Sequence, residues 1–286
     1  MITIPTAVHS EGFKWQLDLF WFGHCCVYGA SAPAKAHAIV IKRNEPSVPK
    51  VERLEWDSSI PHTMCESFFD IGLIEFKSIR LPLNIQAGLA QVLPTFSDDA
   101  VLEVVDCDML HFRPCQQRVN DNELVVSDVY ENWHLLSLTD NRGVIDRYFE
   151  NGGAYYNGGF VPIIGKAKTF RVILREWIAI HVDILRRPHN DLVHWWAGMF
   201  ALQAACEKAK VQMIGRDCCY VPGITKLTAT QHVGHYSVDN LLNKRKYPKL
   251  DASSFDVCNP FYATIRAWFA AYAREILMDR PRTCES

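Results

Sequence analysis

The stretch Val101-Leu102-Glu103-Val104-Val105-Asp106-Cys107-Asp108-Met109 says most about how this chain folds. Its first five residues are largely apolar and β-branched, a composition typical of a buried strand. Asp106 and Asp108 follow at spacing i, i+2, which points both carboxylates roughly the same way from an extended strand end. Two carboxylates held together are unfavourable unless a cation lies between them. Because ligands collect at the carboxyl ends of strands in open α/β sheets, the stretch predicts a divalent-metal site, with a turn or helix cap as the alternative.

The composition allows a full hydrophobic core and gives no global basic field. The chain has 286 residues, 49% of them hydrophobic, and 30 basic against 32 acidic residues give a net charge of −2. A strongly basic balance, which usually marks nucleic-acid binders, is therefore absent from the sequence. We expect no signal peptide and no membrane span. The ten cysteines contain no Cys-x-x-Cys pair, so we expect reduced thiols, no structural zinc site and a cytoplasmic location.

Hydrophobic periodicity predicts an alternating α/β order followed by a helical portion. On the first helix, Trp15, Leu19, Phe22 and Cys26 recur at helical spacing and predict its buried face. The predicted strands cover residues 2–8, 38–42, 101–105 and 211–213, and a short apolar strand follows Gly159. The predicted helices cover residues 12–29, 83–92, 169–185, 192–210 and 259–279.

Two later motifs supply further candidate site residues. Glycines flank a Tyr-Tyr-Asn in the segment 152–165, where Asn157, Gly158 and Gly159 could orient hydroxyl groups of a ligand. The alternative for this segment is a tight turn or bulge before a strand. His232 and His235 lie close together in Gln231–Tyr236, and neutral imidazole is a common metal ligand. We expect one of the two histidines to be structural.

Taken in order, these motifs resemble the nucleotide-sugar glycosyltransferases of the GT-A fold. The order is an acidic pair after a hydrophobic strand, an Asn-Gly-Gly segment, an aromatic-rich helix and a late His-Tyr. The closer resemblance is to the peptidyl-serine galactosyltransferase and hydroxyproline arabinosyltransferase group and to related viral (phage) enzymes. The similar segments are Gly12-Phe13-Lys14-Trp15-Gln16, Pro82-Leu83-Asn84, Asp106-Cys107-Asp108-Met109, His194-Trp195-Trp196-Ala197-Gly198-Met199 and His235-Tyr236.

The resemblance implies an α/β fold with a Rossmann-related mixed sheet flanked by helices. It implies a single domain with a nucleotide-binding half (1–110), an acceptor-side half (111–240) and a C-terminal helical extension (241–286). The implied activity is that of a hexosyl- or pentosyltransferase that uses a UDP-sugar and Mn²⁺ or Mg²⁺, and that retains the anomeric configuration. Some phages glycosylate modified cytosines, so hydroxymethylated or hydroxylated cytosine in DNA is an expected acceptor. Protein and glycan hydroxyls are the alternatives.

The resemblance also assigns roles to the candidate residues. Asp106, Asp108 and His235 are the expected metal ligands, with His232 as the runner-up to His235. The residues expected to bind the donor are Asp106, Asp108, His9, Ser10, Gly158, Gly159 and Trp195. Asn157 and Asp191 are the catalytic candidates; Asp191 is nominated because the family has a glutamate where Gly198 stands here. A late basic cluster could contact phosphates and consists of Lys226, Lys244, Arg245, Lys246 and Lys249.

Two other classes of protein could carry the same acidic pair. Metal-dependent phosphohydrolases of the haloacid dehalogenase type have an Asp-x-Asp, but on their first strand, whereas here about 100 residues precede it. A non-catalytic binding module could use the pair as a turn cap. Mutual dependence of Mn²⁺ and UDP binding would favour the glycosyltransferase over both. The sequence indicates neither the sugar nor an oligomeric state.

Overall fold

A computed structural model of the protein describes residues 1–8, 11–42, 60–66, 83–128, 146–149, 160–187, 191–222, 225–235 and 258–278. The strands in these ranges are β1 (Ile2–Val8), β2 (Ala38–Ile41), β3 (His62–Cys65), β4 (Val101–Asp106), β5 (Met109–His111), β6 (Glu123–Ser127), β7 (Phe160–Lys166), β8 (Gln212–Arg216), β9 (Cys219–Tyr220) and β10 (Val233–His235). The α-helices are α1 (Glu11–Tyr28), α2 (Asn84–Val92), α3 (Ala167–Arg186), α4 (Asp191–Ala209) and α5 (Pro260–Met278).

Seven strands form one mixed sheet in the order β3-β2-β1-β4-β7-β6-β8. β7 is antiparallel to both of its neighbours, and the other pairs are parallel. The carboxyl ends of β1 and β4 therefore lie at the same edge, where Thr6 is the register partner of Asp106. The prediction of a mixed sheet flanked by helices is confirmed. This sheet combines strands of the predicted nucleotide-binding half with β6, β7 and β8 of the predicted acceptor-side half.

A small second sheet brings a late part of the chain to the acidic motif. Its order is β5-β10-β9, with β10 antiparallel to β5 and parallel to β9. β5 follows β4 after only Cys107 and Asp108, so both sheets meet at the acidic pair. Each strand has two or three residues and no long alternating pattern, which is why none of the three was predicted from the sequence.

Helix α1 buries only part of the predicted stripe: Leu19 is fully buried and Phe22 is half-buried. Cys26 is exposed, whereas Gln16 and His24 are buried among apolar residues of the same helix. The reason is that α1 packs against more than one partner: β1 on the large sheet, β5 on the small sheet, and α5. Such a helix needs apolar residues over more than one stripe, so spacing alone does not select the buried face.

The other predicted helices form close to their expected bounds. α3 and α4 pack against each other, and the Trp177 indole N–H donates a hydrogen bond of 2.8 Å to the Gly198 carbonyl between them. The aromatic face of α5 is a packing face, because Phe261 and Trp268 are buried. Among the described residues, every helix falls short of the length and apolarity that crossing a membrane requires.

Candidate metal and donor site

The acidic pair and a late histidine converge at the carboxyl edge of the large sheet. One ligand atom each from Asp106, Asp108 and His235 lies within 4.8 Å of the others, and we refer to these three residues as the outer cluster. The His235 Nε2 atom is 3.1 Å from Asp108 Oδ1. Asp108 and His235 are 4% and 6% exposed, while Asp106 is only half-buried. Asp106 is therefore the most exposed of the three residues.

Local packing explains how the outer cluster is held. Asp106 is the last residue of β4, and the turn through Cys107 and Asp108 leads into β5. The buried Cys107 thiol donates a hydrogen bond of 3.2 Å to Gln16 Oε1 on α1, which fixes the middle of the acidic motif. His235 reaches Asp108 because it is the register partner of Met109, the residue that follows Asp108.

Gly234 allows this approach of β10. A Cβ atom at this position would lie 2.3 Å from Cδ2 of Phe261, a fully buried ring on α5. A contact that short is repulsive, so only glycine lets the strand pass between β5 and α5 without displacement.

The hydroxyl of Thr6 provides an independent sign of a ligand at this edge. Thr6 is 7% exposed, and its buried Oγ1 atom has no hydrogen-bond partner among the residues that the structure describes. In a strand, residues that are register partners in a parallel pair share a face, which places Thr6 beside Asp106. A buried hydroxyl without a partner is costly, and a bound ligand or its water could satisfy it.

A second acid–imidazole cluster lies next to the first. Its members are Glu103, His111 and His232, which are 0%, 0% and 2% exposed, and we refer to them as the inner cluster. The Glu103 carboxylate accepts a hydrogen bond of 2.9 Å from the Thr3 hydroxyl. Its Oε2 atom is 3.0 Å from His111 Nε2, and its Oε1 atom is 2.5 Å from His232 Nε2.

Electrostatics make the inner cluster a buried ion pair. Burial alone would raise the pKa of Glu103, but the imidazoles of His111 and His232 outweigh it and hold that pKa well below its ordinary value. Burial likewise opposes the charge of His232, yet Glu103 in the first place, and Cys115 after it, raise the pKa of His232 to about 10. His24, whose Nδ1 is 3.3 Å from His111 Nδ1, has its pKa lowered to about 3, first by burial and then by His111. His24 is therefore neutral, while Glu103 and His232 carry opposite charges.

The structure brings together some of the predicted site residues. Asp106, Asp108 and His235 lie in one cluster, whereas the runner-up His232 pairs with Glu103 instead. Asp191 begins α4 and Trp195 lies in its first turns, but their side chains lie outside what the structure describes. Lys226 is exposed. The remaining predicted residues fall outside the described residues: His9, Ser10, Asn157, Gly158, Gly159, Lys244, Arg245, Lys246 and Lys249.

Gly198 stands where the resembled family has a glutamate, and its surroundings leave little room for one. A Cβ atom there would lie 3.0 Å from Cε1 of His181, a fully buried ring of α3. The Gln86 Nε2 atom lies within hydrogen-bonding distance of His181 Nδ1, at 2.9 Å. Position 198 is thus part of the contact between α3 and α4.

Sequence reasoning missed the inner cluster, although it contained a signal. Glu103 is a charged residue inside an otherwise apolar strand, and a charge buried in this way must be paired. The partners could not be named from the sequence, because His232 lies 129 residues from Glu103.

The fold resembles that of known glycosyltransferases. The galactosyltransferase LgtC, solved in complex with donor and acceptor sugar analogues, aligns with a TM-score of 0.52 at 12% identity, over 94% of this chain and 99% of its own. The bifunctional glycosyltransferase WbbM aligns with a TM-score of 0.50 at 10% identity, over 96% of this chain and 51% of its own. No protein-family model and no curated protein sequence matches the chain. The structural neighbours are GT-A glycosyltransferases, and at these identities the likeness shows the fold alone.

Proposed function

We propose that this protein is a metal-dependent glycosyltransferase that moves a sugar from a UDP-sugar to an acceptor hydroxyl with retention of configuration. The observation that carries the proposal is the convergence of Asp106, Asp108 and His235 at the carboxyl edge of a GT-A-type sheet. In open α/β sheets this edge is where nucleotides bind.

The outer cluster has the donor set that Mn²⁺ or Mg²⁺ would need. Two carboxylates and one imidazole are oxygen and nitrogen ligands that suit Mn²⁺ in particular. The ion would neutralise the charge that develops on a departing nucleoside diphosphate. Asp108 and His235 would bind it from the buried side, and the half-buried Asp106 would contact it directly, or through water, or contact the ribose. The Thr6 hydroxyl, which has no partner within the described part of the chain, would donate to or accept from a group bound there.

The retaining outcome needs no dedicated protein base. In a front-face attack, an oxygen of the donor diphosphate takes the proton from the acceptor hydroxyl. The surroundings of Gly198 are compatible with this route, since a Cβ atom at that position would already lie within 3.0 Å of the His181 ring. Asp191 and Asn157 remain our candidates for positioning the acceptor or the sugar, and for Asp191 the support is only that it begins α4.

The donor contacts extend from the outer cluster along the same edge. His9 and Ser10 directly follow β1, whose last residues neighbour Asp106, so we assign them to the uridine. Gly158 and Gly159 directly precede β7, and we assign them, with Trp195, to the sugar. For the acceptor we propose a modified cytosine in DNA, with protein or glycan hydroxyls as the alternative. A hexose and a pentose are equally compatible with these assignments.

The phosphohydrolase alternative is less well supported. In that class the acidic pair ends the first strand, whereas here it comes at the end of β4, which at least three described strands precede.

Thermal unfolding with nucleotides tests the proposal. Wild type, Asp108→Ala and the control Asp121→Ala would each be heated with UDP, GDP, ADP or CMP, with and without Mn²⁺. Asp121 is a matched control because it is an exposed, ion-paired aspartate just before β6, at the opposite edge of the sheet. A ligand that binds only the folded protein adds about 2.7 kcal/mol of stability at a hundredfold excess over its Kd.

We expect UDP with Mn²⁺ to raise the midpoint of wild type and of Asp121→Ala, and not of Asp108→Ala. UDP or Mn²⁺ alone should have a smaller effect, because each completes the site of the other. The absence of a shift with every nucleotide–metal pair would overturn the proposal.

A further inference from the structure

The inner and outer clusters are built on the same three pieces of chain. Glu103 lies three residues before Asp106 on β4, and His232 lies three residues before His235 at β10. His111, on β5, lies three residues after Asp108. In extended chain an odd spacing places side chains on opposite faces. On β4 and at β10, a residue of the inner cluster and a residue of the outer cluster therefore lie on opposite faces, while Asp108 reaches the outer cluster from the turn that precedes β5.

We propose that Glu103 is a positioning residue that sets the affinity of the outer cluster for its metal by fixing His235 opposite the two aspartates. This inference rests on the proposed function, because it assumes that the outer cluster binds a divalent cation. Glu103 itself would not touch the ion. It would act through His232, which shares a three-residue stretch of backbone with His235.

Strand β10 is short, so a buried side-chain contact adds to what its backbone hydrogen bonds provide. It has three residues, which limits the ladder it can form with β5 and β9. The His232 carbonyl accepts hydrogen bonds from the backbone N–H groups of Phe112, at 3.1 Å, and Arg113, at 3.3 Å. The contact between His232 and Glu103 adds a fully buried, charge-assisted link from this stretch to β4. That link joins the strand carrying His235 to the strand carrying Asp106.

The Glu103 carboxylate of the inner cluster is satisfied without an ion of its own. The carboxylate of Glu103 already has three donors, from Thr3, His111 and His232. Its negative charge is balanced by the His232 imidazolium. A second cation bound by the same three residues would replace these contacts. Metal stoichiometry distinguishes an inner cluster without an ion from one that binds a second ion.

Manganese binding to three variants tests the proposal. Glu103→Gln keeps the shape of the side chain and removes its charge, while every ligand of the outer cluster is left in place. Asp108→Ala tests the proposed function itself. Ile184→Ala is the stability control, because Ile184 is a fully buried residue of α3 whose truncation also destabilises the protein. Mn²⁺ binding would be followed by electron paramagnetic resonance and calorimetry, with and without UDP.

We expect Glu103→Gln to lower the affinity for Mn²⁺ by about 10- to 100-fold, the usual effect of removing a residue that orients a metal ligand. The resonance spectrum of the ion that still binds should change, and Ile184→Ala should bind Mn²⁺ like wild type. Equal Mn²⁺ affinity in Glu103→Gln and Ile184→Ala would overturn the inference. So would a second equivalent of metal in wild type that Glu103→Gln lacks. Unchanged affinity in Asp108→Ala would instead overturn the proposed function.

A second pair of variants applies if Glu103→Gln does not fold. His232→Gln keeps an N–H donor for the Glu103 carboxylate, whereas His232→Leu removes it at similar volume. If the contact between residue 232 and Glu103 positions His235, we expect His232→Gln to bind Mn²⁺ more tightly than His232→Leu does. Equal affinities in the two variants would contradict the proposal.

Discussion

Replacing Glu103 by glutamine should remove a part of the folding stability that depends on pH. In wild type the Glu103 carboxylate, together with Cys115, raises the pKa of His232 from 6.5 to about 10 in the folded protein. The folded state therefore binds this proton more tightly than the unfolded state does, and stability falls as the pH rises. The contribution is fully present below pH 6.5 and is lost as the pH passes through about 10.

The size of the effect follows from the same pair. The pKa of His232 is 6.5 in the unfolded state and about 10 in the folded state. At about 1.4 kcal/mol for each pKa unit, this difference limits the contribution of the pair to folding stability to about 5 kcal/mol. Removing one partner of a buried ion pair typically costs about 3–5 kcal/mol, because it leaves the other charge unpaired. We count this once, since the low pKa of Glu103 and the high pKa of His232 describe one interaction. In Glu103→Gln, burial lowers the pKa of His232, so it folds as the neutral imidazole.

Urea unfolding of wild type and Glu103→Gln at several pH values measures the effect. The difference in free energy of unfolding should be about 3–5 kcal/mol near pH 6 and should shrink steadily toward pH 10. Groups that titrate equally in both proteins cancel in this difference. A difference that stays constant over this pH range would refute the reasoning, because His232 and Glu103 would then share a neutral hydrogen bond.

Three further predictions concern packing and backbone conformation, and all can be checked by chemical unfolding. Gly234→Ala should cost about 1–3 kcal/mol by overpacking against Phe261, and adding Phe261→Leu should recover part of the loss. Trp177→Phe should cost about 1–3 kcal/mol, since the carbonyl that accepts its 2.8 Å hydrogen bond is left without that donor. Asn122 has a φ of 59°, so Asn122→Val should destabilise by about 1–2 kcal/mol, while Asn122→Gly should be tolerated. Loss of stability in Asn122→Gly equal to that in Asn122→Val would contradict the backbone argument.

The parts of the fold that the sequence predicted are those with strong local patterns. β4 could be predicted because its β-branched residues form a continuous buried run that ends in the acidic pair. α3 could be predicted because its apolar residues recur at helical spacing over five turns or more. The short strands β5, β9 and β10 could not, since two or three residues carry no period and their pairing depends on partners far along the chain.

The site was predictable to a similar extent. Asp106 and Asp108 could be predicted as site residues because they follow a buried strand. His235 was predicted to join them through the resemblance. The roles of His232 and His235 could not be separated from sequence, because the choice depends on which face of β10 each occupies. In the structure the two histidines differ in their partners. The Glu103 carboxylate contacts His232 within the core, and Asp108 contacts His235.

The pairing of β5 with β10 also bears on the order in which the protein folds. His235 and Asp108 are 127 residues apart, and contacts of such long range form late because closing the intervening loop costs entropy. The parallel strands around β4 can assemble from residues 1–106 before β10 has been synthesised. Asp106, Asp108 and His235 come together only when β10 adds to β5. If the outer cluster binds metal as proposed, high-affinity binding would appear only after β10 has docked, and its time course during refolding would report that step.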